Sequence, residues 1–119
     1  MVVKIKEKEY ELHFGFKFIE QANNERGLVV GAGDDGGMAI NTKTQGIQML
    51  TTGLDSYDPV AVRDVIRFGT NTERSKPRVS DIEDYIESLA SKGDPYFDFV
   101  DELSDEIKKQ PLLNIRRGN

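Results

Sequence analysis

The sequence predicts an α+β fold in which an N-terminal β-hairpin packs on a small bundle of about four to five α-helices. Apolar residues alternate with polar ones as far as Phe14, as in a half-buried strand, and then recur at helical spacing from Phe16 onward. Asp-Pro pairs at Asp58 and Asp94 are typical helix starts, because proline loses no hydrogen bond at the first helical position. These two signals predict a short β segment followed by helices.

Length and composition predict one small domain. The chain has 119 residues and 37% hydrophobic content, so we expect a single domain over residues 1–110 and an extended C-terminal tail over residues 111–119. The absence of cysteine excludes disulfides and thiolate metal sites. No apolar run suits a signal peptide or a membrane span, which predicts a soluble cytoplasmic protein. A net charge of -5 argues against a nucleic-acid partner.

The N-terminal segment is predicted to form the hairpin and the first helix. Apolar residues alternate with lysines before a second strand at residues 10–14, which places the turn around Glu7-Lys8. A helix should run from about residue 16 to 26 and end at a left-handed Gly27. The next segment, residues 28–30, is short and contains two β-branched valines, which favours a strand.

The middle of the chain carries weaker signals. Residues 31–37 have the most flexible composition in the sequence and predict a mobile surface loop. A helix over about residues 43–52 should follow, capped by Asn41 or Thr42 and ended by Gly53.

The C-terminal half has clearer helix signals. Asp58 is a good N-cap for a helix over about residues 59–68, and Ser80 with Glu83 has the pattern of a capping box. A final helix should run from about residue 95 to 109. The side chains expected to face the core are Val62, Val65, Ile66 and Phe68, then Ile82, Tyr85, Ile86 and Leu89, then Tyr96, Phe99 or Val100, Leu103 and Ile107.

Residues 31–37 also match the glycine spacing of a dinucleotide-binding fingerprint. Asp34 and Asp35 would place negative charge where a phosphate must sit, and no βαβ continuation follows. The segment also lacks the spaced oxygen ligands of an EF-hand. We therefore expect no cofactor and no metal here.

Other candidate chemistry is also better explained by structure. His13 is the single histidine and alternates with apolar neighbours, which places it on the outer face of the hairpin. The carboxylates of the last helix suit a solvated face with lysines at the C-terminal end, as the helix dipole favours. They are Asp98, Asp101, Glu102, Asp105 and Glu106. A small enzyme using His13 or this acidic helix remains a competing hypothesis.

Three segments resemble the tail assembly chaperones of long-tailed bacteriophages, particularly those of phages and prophages of Gram-positive bacteria. Residues 9–19, which read EYELHFGFKFI, resemble the opening hairpin-to-helix segment of that family. Asp58-Pro59-Val60-Ala61 resembles the start of its middle helix, and residues 76–86 resemble its next linker and helix. An acidic last helix completes the order, so the resemblance covers roughly residues 3–110.

The resemblance implies a non-enzymatic assembly factor of the host cytoplasm that is absent from the mature virion. Such a protein binds and solubilises the tape measure protein and helps to recruit tail tube subunits. Whether this chain also forms a homo-oligomer is left open by the sequence. In many phages a translational frameshift produces a longer form of this protein. The alternative hypothesis is a structural minor tail or head-completion protein of the phage particle.

A chaperone for a long helical client must offer apolar surface. Phe18 is a candidate contact because a strand face and a helix face cannot bury Phe14, Phe16 and Phe18 equally. Leu112, Leu113 and Ile115 are further candidates because they follow the helix-stopping Pro111. Docking of this tail on its own core is an equally open alternative, and self-association through the tail is a third.

Overall fold

The predicted α+β class is confirmed by a computed structural model that describes residues 1–30 and 42–114. Within these ranges, two short antiparallel strand pairs accompany five α-helices and one 3-10 turn. The elements are β1 (Val2–Ile5), β2 (Lys8–Glu11), α1 (Phe16–Arg26), β3 (Leu28–Val30), β4 (Thr42–Thr44), α2 (Gly46–Asp55), α3 (Pro59–Gly69), α4 (Val79–Ala90), α5 (Asp94–Lys108) and the 3-10 turn (Pro111–Leu113).

The hairpin turns one residue earlier than the sequence predicts. Val3 pairs with Tyr10 and Ile5 pairs with Lys8, so Lys6 and Glu7 form a two-residue connection. Their φ angles of 49° and 68° are the left-handed values that such a turn requires. The side chains of Val3, Ile5 and Tyr10 are buried on one face, and this register sets the turn although neither turn residue favours it.

Helix α3 lies at the centre of the bundle and packs against α1, α2 and α4. Its predicted inner face is confirmed, because Val62, Val65, Ile66 and Phe68 are fully buried. Helix α5 packs on α2 and α4 through its predicted stripe, in which both Phe99 and Val100 are buried.

The prediction that Phe18 stays exposed is wrong. Phe18 is 1% exposed, whereas Phe16 is 68% exposed. The Phe18 ring meets Phe14 at a centroid distance of 5.0 Å and Phe68 at 6.1 Å, both edge to face. Helix α1 begins at Phe16, and residues 18 and 22 lie one turn apart on the face that packs against the core. Phe16 lies on another face.

The start of α2 differs from the predicted helix over residues 43–52. Residues 42–44 form β4, which pairs with β3, and the helix begins at Gly46 without a side-chain cap of its own. Asn23 of α1 supplies the missing partner, since the Gly46 amide donates to Asn23 Oδ1 at 2.8 Å. The predicted cap at Asn41 or Thr42 is therefore wrong.

Two glycines allow α2 to approach its neighbours closely. A Cβ atom at Gly46 would overlap the Ala22 backbone of α1, and one at Gly53 would lie 2.6 Å from the Ala61 Cβ of α3. Gly53 therefore lies inside the helix and does not end it, as α2 continues to Asp55. Gly27 is not left-handed either, because its φ of -72° is an extended value.

The predicted capping box in α4 is wrong. The helix begins at Val79, so Ser80 lies inside its first turn, and Arg78 occupies the N-cap without a side-chain hydrogen bond. Helix α4 ends at Ala90, and Gly93, with a φ of 83°, directly precedes α5.

The described part of the predicted extended tail is folded back. Residues 111–113 form the 3-10 turn, and Asn114 Nδ2 donates to the Ile107 carbonyl at 2.8 Å. Leu113 packs partly buried against the core. Residues 115–119 lie outside the described residues.

Candidate protein-binding surface

His13, the histidine of the competing enzyme hypothesis, lies at the surface beside Glu73. His13 is exposed, and its Nε2 lies 3.8 Å from Glu73 Oε1. Among residues 1–30 and 42–114, no group of three histidines or carboxylates is placed to hold a metal ion. The glycine-rich residues 31–37 lie outside the described residues.

A buried charge cluster ties α1, α3 and α4 together. Asp64 of α3 is only 5% exposed and accepts hydrogen bonds from three arginines. Its carboxylate oxygens lie 2.7 Å from Arg26 Nε, 3.0 Å from Arg67 Nη1 and 3.3 Å from Arg63 Nε. Glu25 and Glu83 complete what we call the Asp64 cluster.

The Asp64 cluster is balanced, because three arginines meet three carboxylates. Arg67 Nη1 lies 3.0 Å from Glu25 Oε1, and Arg63 Nη1 lies 3.2 Å from Glu83 Oε2. Burial would raise the pKa of Glu25, but hydrogen bonds from Gln21 and Arg67 outweigh it and lower that pKa. Such mutual neutralisation is typical of a structural ion network.

The predicted contact residues differ in how far they are exposed. Phe18 belongs to the core, as described above, and Leu113 is partly buried. Leu112 is 41% exposed, so it alone among the described candidates offers open apolar surface. Ile115 lies outside the described residues, so its role stays a prediction.

Several other large apolar side chains are exposed, and two of them are linked to Tyr57, Phe97 by a ring contact and Val60 by its position three residues further along the chain. Phe97 of α5 is 47% exposed, and its ring packs edge to face on Tyr57 at a centroid distance of 5.0 Å. Val60, in the first turn of α3, is 45% exposed. We call Tyr57, Val60 and Phe97 the Tyr57 corner. The other large apolar side chains that are exposed within the described residues are Val2, Phe16, Leu28, Val29, Val79 and Leu112.

Tyr57 is held in a conformation that bulky residues rarely adopt. Its φ is 57°, in the left-handed region. Its carbonyl accepts a hydrogen bond from the Tyr96 hydroxyl at 2.8 Å, and its own hydroxyl donates to Asp101 Oδ1 at 2.7 Å. The hydrogen bond to Asp101 raises the pKa of Tyr57, and partial burial and the charges of Asp101 and Asp55 raise it further. The corner therefore lies in a negative field.

Two hollows lined by several carboxylates adjoin the corner, one that includes Tyr57 and one that includes Val60. A hollow of about 360 Å³ lies between α2 and α5, and one of about 320 Å³ lies between α3 and α4. The first is lined by Leu54, Asp55, Tyr57, Asp101, Ser104, Asp105 and Lys108. The second is lined by Pro59, Val60, Arg63, Glu83, Asp84, Ile86 and Glu87.

The sequence contains a signal for this surface that the predictions above did not use. Phe97 falls outside the stripe formed by Tyr96, Phe99, Val100, Leu103 and Ile107, and Val60 falls outside the inner face of α3. A large apolar residue outside a complete buried stripe points away from the core and keeps part of its side chain exposed. That criterion would have selected both residues.

The described residues thus form a packed core with several large apolar side chains left exposed. No helix within the described ranges has both the length and the apolar character needed to cross a membrane. Searches of curated proteins and of solved structures gave no match. A family model described as phage tail assembly chaperone protein, TAC, matches residues 2–116, nearly the whole chain. The chain belongs to the phage tail assembly chaperone family.

Proposed function

We propose that this protein is a non-enzymatic chaperone that binds and solubilises the tape measure protein of its phage and helps to recruit tail tube subunits. It acts in the cytoplasm of the bacterial host and leaves before the virion is complete. Family membership supports the general role, and the observation that favours client binding is the exposed Tyr57 corner.

The need for a chaperone comes from the apolar surface of the client. A long helical protein with apolar stripes aggregates unless a partner covers them, and covering one large apolar side chain contributes roughly 1.5–3 kcal/mol. Phe97 and Val60 offer such contact area, and Leu112 offers another site near the end of α5. The net charge of -5 helps to keep the complex in solution.

Coexpression tests this function. The tape measure protein encoded by the same phage should be largely insoluble alone and should become soluble, in a complex recovered by size-exclusion chromatography, when this chain is present. A truncated chain that lacks residues 111–119 tests whether the C-terminal tail contributes to binding. Failure of both the full and the truncated chain to form a complex would rule out the proposed function.

Virion composition distinguishes a chaperone from a structural component. Mass spectrometry of purified particles should detect the tube and tape measure proteins but not this chain. Stoichiometric amounts of this chain in mature particles would instead favour a minor tail or head-completion protein.

A further inference from the structure

We infer that the Tyr57 corner is where the client docks, and that the occupant is an amphipathic helix whose apolar stripe is flanked by lysine or arginine side chains. This inference rests on the proposed function and adds the binding face and the chemistry of the bound segment.

The two aromatic rings of the corner are held in place before a partner binds. Phe97 and Tyr57 already hold each other edge to face at 5.0 Å, so neither ring must be ordered when a partner arrives. Aromatic residues fixed in this way are the usual anchors of protein interfaces. Phe16 is more exposed than Phe97, but no aromatic contact restrains its ring within the described residues.

The charge of the surroundings indicates which helix would fit. In the hollow between α2 and α5, Asp55, Asp101 and Asp105 face a single cation, Lys108. This hollow is also lined by Ser104, whose buried hydroxyl has no hydrogen-bond partner within the described residues. An ammonium or guanidinium group from a partner would neutralise these carboxylates and donate hydrogen bonds to them.

The hollow between α3 and α4 repeats this charge pattern. Glu83, Asp84 and Glu87 line it, and its one arginine, Arg63, is already engaged by Asp64 and Glu83. Lys6 reaches Asp84 only at 3.7 Å. Tyr57 and Val60 thus each line a hollow in which carboxylates outnumber cations. This arrangement matches a helix whose apolar stripe has basic side chains beside it.

One feature of the corner and one of the adjoining hollow oppose stability and are consistent with a binding role. Tyr57 has a left-handed backbone where glycine or asparagine would be easier, and such strain clusters at functional sites. Asp55 is the last residue of α2, where a negative charge opposes the helix dipole. Both are explained if the corner and its charge are kept for a partner.

Binding measurements with overlapping fragments of the tape measure protein test the inference. Calorimetry on the full chain would first identify the fragment that binds the wild type most tightly. Phe97→Ala should then raise the Kd for that fragment by about tenfold or more. The matched control Phe16→Ala should change this Kd by less than about twofold. Val60→Ala should weaken binding in the same direction, and it replaces Phe97→Ala if thermal unfolding shows that variant to be misfolded.

A pair of double variants isolates the charge contribution. D55N/D105N and the control E9Q/E20Q remove the same amount of negative charge, but the control residues lie on β2 and α1. D55N/D105N should weaken binding by about fivefold or more and reduce its dependence on sodium chloride between about 50 and about 300 mM, whereas the control should not.

The outcomes separate this inference from the proposed function. If no fragment binds the wild type, the proposed function fails together with the inference. If a fragment binds the wild type and all variants equally, the function stands and the assigned face is wrong. A tightly bound fragment without basic flanks would overturn the assigned chemistry.

Discussion

The Asp64 cluster and the Tyr57 corner both involve α3, and they treat charge in opposite ways. In the cluster, three arginines surround one buried carboxylate, and two further carboxylates complete the balance. In the hollow beside the corner, three aspartates outnumber one lysine, and the Phe97 ring of the corner remains half exposed. The cluster is complete within the chain, whereas the corner is complete only with a partner.

This contrast shows how structural charge differs from charge available for binding. A carboxylate whose hydrogen bonds are all made inside the fold stabilises the fold, and its loss exposes its partners to one another. A carboxylate that faces solvent contributes little to stability and remains available to an incoming cation.

The largest expected effect compares Asp64 with Asp101. Asp64→Ala should lower the free energy of unfolding by about 3–5 kcal/mol, because it leaves three arginines close together without their shared anion. Asp101→Ala should cost less than about 1.5 kcal/mol, since it removes one exposed hydrogen bond from Tyr57. Urea unfolding monitored by circular dichroism measures both, and equal losses would contradict the contrast.

A second, intermediate effect compares two residues with left-handed backbones. Glu7→Gly should stabilise the protein by up to about 1 kcal/mol, because glycine adopts the φ of 68° without steric cost. Tyr57→Gly relieves similar strain but loses the ring contact with Phe97 and the hydrogen bond to Asp101, so it should destabilise by about 1 kcal/mol. Thermal melting of the two variants gives the comparison, and stabilisation by Tyr57→Gly would contradict it.

The smallest expected effect is a pH dependence in the outer part of the Asp64 cluster. The pKa of Glu25 is lowered in the folded state, so its stabilising contribution is present above its ordinary value of 4.5 and is lost as pH falls through the folded value. Glu25→Gln should therefore cost up to about 1 kcal/mol at pH 7 and less than that at about pH 3.

Urea unfolding at the two pH values measures this difference. Glu20→Gln is the matched control, because Glu20 lies on the same helix and its one ion pair among the described residues is with Lys17, at 3.5 Å. The control should cost less than Glu25→Gln at pH 7. A cost of Glu25→Gln that grows toward low pH would contradict the assigned role.

The sequence predicted best those elements whose signals are local. Asp58 caps α3 through its own side chain, which accepts from the Val60 amide at 2.9 Å, and Pro59 follows it. The inner faces of α3 and α5 were likewise predictable, because one complete apolar stripe defines each. In these cases a few consecutive residues contain the whole physical cause.

The predictions failed where the cause lies elsewhere in the chain. The cap of α2 comes from Asn23 on another helix, and a sequence window around Gly46 does not contain it. Phe16 and Phe18 exchanged roles because the orientation of α1 depends on how it packs against Phe68. The Asp64 cluster joins residues 25, 26, 63, 64, 67 and 83, and long-range pairing of this kind has no periodic signature.

The close fit of α2 has a consequence for genetic screens. Its first residue, Gly46, lies against Ala22 with no room for a methyl group, and its last turn leads directly to Tyr57. A methyl group at Gly46 must push the helix away from α1, and the rigid rod carries that displacement to its other end. We therefore expect a screen for lost client binding to recover Gly46→Ala, a substitution that touches no client, beside substitutions of the surface residues that do.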